Sequence, residues 1–112
     1  MLDRHEEALE CLDRALEVDP KDAKAWALKG ATLGMLDRHE EALQCLDTAL
    51  AIDPRDVDAW NYKGAALDML DRHQEALQCF DQALAIDPTN AIEQQEKPVA
   101  LEKIRKTAPK KQ

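Results

Sequence analysis

The sequence predicts an all-α fold in which pairs of helices stack into a superhelical solenoid. Residues 23–56 recur as residues 57–90, so a unit of 34 residues occurs twice in succession. Residues 1–22 match residues 35–56 at 17 of 22 positions, so they repeat the second half of the unit. Apolar residues within each unit follow the spacing of amphipathic helices. Self-similarity at this period indicates a repeat array.

The first helix is predicted over residues 6–18. Its apolar stripe consists of Ala8, Leu9, Leu12, Ala15 and Leu16. Asp19-Pro20 ends it, because the residue before a proline disfavours helical geometry. Residues 1–22 are therefore a partial repeat, namely the back helix of a unit whose front helix is missing.

Each full unit is predicted to contain a front helix followed by a back helix. Asp22 is a suitable N-cap for the front helix at 23–36. Trp26, Gly30 and Leu33 share one face of that helix, and Gly30 is expected to allow close packing of the partner helix. The back helix follows at 40–52. The second unit repeats this plan, with helices at 57–70 and 74–86.

The last segment, residues 91–112, resembles a front half with its key residues replaced. Gln94 stands in place of the tryptophan and Pro98 in place of the glycine. Proline inside a helix removes a hydrogen bond, so we expect a break near Lys97 and a frayed end from Thr107. We predict one domain over 1–112: a partial repeat (1–22), two full repeats (23–56, 57–90), and a C-terminal capping helix and frayed tail (91–112).

The repeated residues resemble those of the tetratricopeptide repeat family, whose 34-residue pattern combines Trp, Gly, Ala and Pro at fixed positions. They are Trp26, Gly30, Leu33, Ala42, Leu46, Ala49 and Pro54, with counterparts in the next unit. Two positions depart from the family: Lys29 and Lys63 replace a leucine, and Leu33 and Leu67 replace a tyrosine. The resemblance implies a protein–protein interaction scaffold or adaptor without catalytic activity.

Composition limits the partners and the location. Residues 1–90 carry 9 basic and 20 acidic side chains, and an acidic body argues against nucleic acid as a partner. No apolar run is long enough to cross a membrane, and the N-terminus lacks the plan of a signal peptide. Cys11, Cys45 and Cys79 are 34 residues apart, too distant in stacked repeats for disulfides. Free thiols predict a cytoplasmic protein.

The sequence does not place histidine, cysteine and carboxylate side chains where they could form one metal site or catalytic site. His5, His39 and His73 recur at the repeat period, so copies in different units cannot meet on one ion. His39 and Cys45 are six residues apart, on different helix faces. The carboxylates have the distribution of a solvated helix face, and nothing resembles a nucleophile with its base. We therefore predict no enzyme, no metal and no cofactor.

The candidate binding site comes from comparing the two units. Residues 35–56 and 69–90 share 17 of 22 positions, whereas the front helices share 6 of 12. Differences are expected where packing does not dictate the residue, although neutral drift after duplication explains them equally well. In the family that the chain resembles, front helices line a concave groove for peptides. The predicted lining is Lys24, Ala27, Leu28, Ala31, Asp58, Asn61, Tyr62, Ala65 and Asp68.

The side chains of this lining limit the kinds of protein or peptide segment that could bind. Family members that clamp the C-terminal carboxylate of heat-shock chaperones carry Lys and Asn on the first front helix, where this chain has Ala27 and Ala31. The clamp is therefore absent from the sequence. Asp58 and Asp68 against Lys24 favour a basic or neutral segment of a protein or peptide.

The alternative function is self-assembly. The first helix lacks a front helix over Ala8, Leu12 and Ala15, so these apolar residues are expected to face solvent. Pairing of two such helices would give a closed homodimer, which we favour over tail-to-head assembly because Pro98 makes residues 91–112 a poor front helix.

Overall fold

A computed structural model describes residues 3–89, which form five α-helices and contain no strand. The helices are α1 (Arg4–Val18), α2 (Ala23–Met35), α3 (His39–Ile52), α4 (Val57–Met69) and α5 (His73–Ile86). The predicted all-α repeat fold is confirmed, and every helix begins and ends within two residues of its predicted bounds. The predicted capping helix at 91–112 lies outside the described residues.

The helices form an elongated stack. Each front helix packs on its own back helix, α2 on α3 and α4 on α5. Successive units are joined because α1 packs on α2, α3 on α4, and α2 on α4. The stack measures 55 × 28 × 20 Å. This arrangement places the two front helices side by side.

Short polar motifs set the helix ends. The Asp22 side chain accepts a hydrogen bond from the Ala25 N–H at 3.2 Å, which caps α2, and Asp56 caps α4 in the same way. Asp37 has a φ of 60° in the turn after α2. In that turn the Arg38 N–H donates to the Leu33 carbonyl at 2.9 Å. This pattern ends a helix sharply, so α3 folds back on α2.

The glycine that recurs in each front helix lets the two helices of its unit approach closely. A Cβ on Gly30 would lie 2.6 Å from Cγ of Leu46, and one on Gly64 would lie 2.6 Å from the ring of Phe80. Leu46 is fully buried and Phe80 is 3% exposed. The expected close packing over Gly30 is therefore confirmed.

Tryptophan and lysine hold neighbouring units together. The Trp26 Nε1–H donates to the Pro20 carbonyl at 2.8 Å, and the ring packs against the core. Lys29 lies over that ring, and its Nζ is 2.7 Å from Oδ1 of Asp13 in α1. Trp60 and Lys63 repeat these contacts one unit later. Lysine at this position therefore forms an ion pair with the preceding unit.

Candidate functional site

The predicted groove residues divide into three groups by exposure. Lys24, Leu28 and Asp58 are exposed. Ala31, Tyr62, Ala65 and Asp68 are half-buried. Ala27 and Asn61 are buried, at 4% and 6% exposure.

Ala27 and Asn61 correct the assumption on which the site was predicted. Positions that differ between the units were expected to be free of packing, and at these two that expectation is wrong. Ala27 belongs to a core cluster with Ala59 of α4, at the contact between the two front helices. It lies three residues after Lys24, so about 60° around the helix axis separates this buried residue from the exposed lysine.

Two highly exposed methionines were not found by comparing the two repeat units with each other. Met35 is 67% exposed and Met69 is 64% exposed. Met35 lies seven residues after Leu28, and Met69 lies seven residues after Tyr62. Seven residues are about two helical turns, so each methionine shares a helix face with that earlier residue. Because both units carry methionine here, a search for differences between the units could not find them. Helical spacing from Leu28 would have found them.

Apolar residues occupy three matching repeat positions on α2 and α4, and we call this set of residues the front strip. It consists of Leu28, Ala31, Met35, Tyr62, Ala65 and Met69. Leu28 is 50% exposed, and the two methionines are among the most exposed large apolar residues described. Single exposed apolar residues are ordinary on a protein surface. Methionine suits a contact surface because its side chain adapts to different partners.

Tyr62 links the front strip to the core. Its ring packs against the buried cluster that contains Leu46 and Ala59. Burial raises the pKa of its hydroxyl, and the nearby carboxylates of Asp58 and Asp56 raise it further. The phenol therefore stays protonated and can donate a hydrogen bond to a ligand.

Asp68 has a different role from the other acidic residue of the predicted lining. Its Oδ1 lies 2.5 Å from Nδ1 of His73, at the turn between α4 and α5. This hydrogen bond raises the pKa of His73, helped by Asp71 at 3.3 Å from Nε2. Asp68 therefore stabilises the turn, whereas Asp58 stays exposed at the start of α4.

The first unit lacks this pair because glycine occupies position 34. His39 stands where His73 stands in the next unit, and its side chain is 14% exposed. Within residues 3–89, its buried Nδ1 has no hydrogen-bond partner. A Cβ on Gly34 would meet no atom within 4 Å. The difference between Gly34 and Asp68 thus determines whether Nδ1 of the histidine has a partner, whereas Nε2 of His39 lies 3.5 Å from Oδ1 of Asp37.

A concavity with a volume of about 350 Å³ lies between α1, α2 and α3. Lys29, Asp13, Arg38 and Glu41 line it together with Cys45. Lys29 pairs with Asp13, and Arg38 forms a bidentate pair with Glu41 at 2.6 and 2.8 Å. These charges already satisfy one another, so the concavity is a packing feature between repeats.

The described residues offer little for catalysis. No group of three or more His, Cys, Asp or Glu side chains within them could hold a metal ion. All three cysteines are free. Burial raises the pKa of the Cys79 thiol to about 11 and also raises that of Cys45, which makes both poor nucleophiles. None of the five helices is long and apolar enough to cross a bilayer.

Comparison with solved structures gives repeat proteins of the same architecture. The TPR domain of Arabidopsis OM64 superposes with a TM-score of 0.81 at 25% identity, covering 94% of this chain and 84% of that one. The second TPR of Spaghetti (RPAP3), bound to the HSP90 peptide SRMEEVD, gives 0.72 at 26%, with 74% and 77% covered. MamA gives 0.78 at 24%, with 88% of this chain covered. At that identity the likeness shows the fold alone, and the chain spans 57% of the MamA chain.

Two comparisons at the level of sequence gave different results. A search of curated protein sequences found no match to the chain. Family models described as tetratricopeptide repeat match residues 2–22, 23–56 and 57–90, most of its length. The glycine-packed helix pairs and the 34-residue period are thus those of a known repeat, and the chain belongs to the tetratricopeptide repeat family.

Proposed function

We propose that the protein is a non-catalytic scaffold or adaptor that holds a segment of a partner protein along the front strip. The observation that carries this proposal is the exposure of Leu28, Met35 and Met69 on two helices, α2 and α4, that pack against each other. A fold needs no such alignment for its own stability, since apolar side chains gain free energy only when they leave water. A bound peptide would bury them.

The charges around the front strip favour a basic or neutral partner segment. Asp58 is exposed beside Tyr62, and the described residues carry a large excess of acidic side chains. Lys24 at the start of α2 is the exposed cation among the predicted lining residues. A peptide with two or three apolar residues and a Lys or Arg next to them would match both features.

The bound structure of Spaghetti (RPAP3) supports the class of partner but not the same peptide. Its ligand SRMEEVD carries three acidic residues and one arginine. This chain has Ala27 and Ala31 where clamp-type members carry Lys and Asn, and Ala27 is buried. We therefore propose that acidic C-terminal peptides bind more weakly than basic ones.

A peptide library of matched hydrophobicity tests the function. The library varies net charge from −3 to +3, and the tightest peptide is then titrated by fluorescence anisotropy. A few central contacts carry most of the binding energy of an interface, and truncating one of them costs more than about 1 kcal/mol, so Met35→Ser combined with Met69→Ser should weaken binding at least tenfold.

The matched control is Val18→Ser. Val18 is 87% exposed at the end of α1, away from the front strip. Its substitution should leave the affinity unchanged, and both variants should melt at the wild-type temperature. Equal loss of affinity in both variants, or preferred binding of acidic peptides, contradicts the proposal.

Free cysteines and the lack of a spanning helix among the described residues suit a reducing, aqueous compartment, so we propose that the protein acts in the cytoplasm. Fractionation of cells expressing a tagged chain tests this directly. Recovery mainly with membranes or in the culture medium would contradict it.

Self-assembly through α1 is the second function that the sequence predicts. In the structure Ala8 and Leu12 are half-buried and Ala15 is exposed, so the stripe is open to a second copy. A homodimer would show in light scattering across a concentration series, and Leu12→Glu would dissociate it. A monomer up to about millimolar concentration would reject it.

A further inference from the structure

Methionine occupies the same repeat position in both front helices and is exposed in both. Met35 at the end of α2 is 67% exposed, and Met69 at the end of α4 is 64% exposed. Because α2 packs on α4, Met35 has a front helix on the side of the following unit, and Met69 has one on the side of the preceding unit. A neighbouring front helix on either side therefore leaves this position open to solvent.

The cysteine thiols are the other sulfur groups that an oxidant attacks, and two of the three are shielded. Cys45 and Cys79 are 7% and 4% exposed. Burial raises the pKa of both thiols, so little of the reactive thiolate forms at neutral pH. Cys11 is exposed and reacts with oxidants as well. Among the described residues, oxidation from solution is therefore directed to Cys11, Met35 and Met69.

Oxidation turns a methionine side chain from apolar to polar. The sulfoxide oxygen accepts hydrogen bonds, and placing it against an apolar partner group without a donor costs free energy. Two sulfoxides would leave Leu28 as the remaining large aliphatic side chain of the front strip. The fold does not depend on these sulfur atoms, because each methionine keeps about two thirds of its surface in water.

We propose that Met35 and Met69 are paired oxidation sites, through which a hydroperoxide reversibly weakens the binding of a partner segment to the front strip. The proposal rests on the function proposed above for that surface. The two methionines act together, because they occupy matched positions on helices that pack against each other.

The oxidation balances with a hydroperoxide as its co-reactant. A lone pair of the thioether sulfur attacks the terminal peroxide oxygen and forms the S–O bond, while the O–O bond breaks. The proton of the transferred hydroxyl moves to the leaving oxygen, which departs as water or an alcohol. Sulfur loses two electrons and the peroxide gains them. A dithiol returns the two electrons through a methionine sulfoxide reductase, the oxygen leaves as water, and a disulfide forms.

The first measurement is the rate of oxidation in the full-length chain, with no peptide present. Cys11→Ser removes the exposed thiol, and hydrogen peroxide is the probe. Mass spectrometry follows the sulfoxide at each methionine, with N-acetylmethionine amide as the reference. Both residues should react within about tenfold of the reference rate, as exposed thioethers do, and slower oxidation of either one overturns the proposal.

The second measurement is the affinity before and after oxidation. Peroxide is removed, and the tightest basic peptide from the library, chosen without methionine or cysteine, is titrated by fluorescence anisotropy. Oxidised protein should bind at least about tenfold more weakly, as expected for polar changes at two central contacts. Its melting temperature should equal that of the reduced protein. Sulfoxide reductases for both sulfoxide epimers, supplied with dithiothreitol, should restore the affinity.

The matched control carries Met35→Leu and Met69→Leu in the Cys11→Ser protein. Leucine keeps the front strip apolar but has no thioether, and Met1 and the two buried cysteines remain. This variant should bind the peptide and keep its affinity after peroxide treatment. A variant with Met35→Gln and Met69→Gln imitates the oxidised state, because glutamine is polar and similar in length, and it should bind weakly without peroxide.

Equal binding by reduced and oxidised protein overturns this proposal and leaves the function of the front strip standing. An equal loss of affinity in the leucine control assigns the effect to another residue and overturns it as well. A melting temperature that falls on oxidation also overturns it, because the sulfoxides would then act through the fold. Reduced protein that binds none of the library peptides contradicts the proposed function itself, so the two failures are distinguished.

Discussion

Lys63 Nζ lies 2.7 Å from Oδ1 of Asp47, so one ion pair joins α4 to the back helix of the preceding unit. The lysine side chain is 26% exposed and lies over the ring of Trp60. Lys29 and Asp13 repeat the pair one unit earlier. Lysine at the position where the family pattern has leucine is therefore explained by a contact between units.

A double-mutant cycle on Lys63 and Asp47 measures this contact. We expect a coupling energy of about 0.5–1 kcal/mol between Lys63→Met and Asp47→Ala, because the carboxylate is largely exposed and the lysine is not. Urea unfolding of the four proteins gives the value. Additive effects of the two substitutions would show that the pair contributes nothing to stacking.

Two glycines of α2 should respond in opposite directions to the same substitution. Gly34→Ala should stabilise the protein by about 0.5–1 kcal/mol, since alanine is the better helix former and its Cβ meets open space. Gly30→Ala should destabilise it by about 1–2 kcal/mol, because the added Cβ overlaps Leu46 near the base of its branch. Thermal melts of the two variants decide the matter. A gain at both positions would mean that Leu46 moves aside freely.

Gly34→Asp should give His39 the partner that His73 has in the next unit. We expect this variant to be about 1 kcal/mol more stable than wild type at pH 6, from the new hydrogen bond and the loss of a helical glycine. Chemical unfolding measures the gain, with Gly34→Ala as the control that removes the helical glycine without adding a carboxylate. An equal gain from Gly34→Asp in a His39→Asn background would contradict the pairing.

The pair of Asp68 and His73 predicts how stability depends on pH. The hydrogen bond to Asp68 raises the pKa of His73 above its ordinary value of 6.5. The folded state therefore binds the proton more tightly than the unfolded chain. The resulting stability is fully present below pH 6.5 and is lost as the pH rises through the raised pKa. Melting temperatures between pH 6 and pH 8.5 should fall more steeply for wild type than for Asp68→Asn, and parallel curves would reject this origin.

The sequence was sufficient to predict the helices because two local signals coincide wherever one unit passes into the next. An Asp-Pro pair ends each back helix, and an aspartate two residues after the proline caps each of the two front helices. The 34-residue period then fixes which helices pack together. Close packing at Gly30 was also foreseeable, because a helical glycine needs a compensating contact.

The candidate site was harder to predict, because residues that differ between the two units are not always exposed, and exposed residues do not always differ. Ala27 and Asn61 differ between units although both are buried, and Gly34 and Asp68 differ at a position where the aspartate contacts a histidine. Met35 and Met69 are identical in both units and yet highly exposed. Whether a residue on a front helix faces a neighbouring helix or solvent depends on how the units are rotated against each other, and one sequence does not reveal that rotation.

The function assigned to the front strip is tested most directly by the methyl groups of its two methionines. Protein labelled with ¹³C at the methionine methyls has three such groups, those of Met1, Met35 and Met69. Met35→Leu and Met69→Leu assign the signals. On titration with the tightest basic peptide from the library, we expect the Met35 and Met69 signals to shift together and to saturate at the affinity measured by anisotropy. Binding that saturates while both signals stay in place would show that the peptide lies elsewhere and that the front strip is not its binding site.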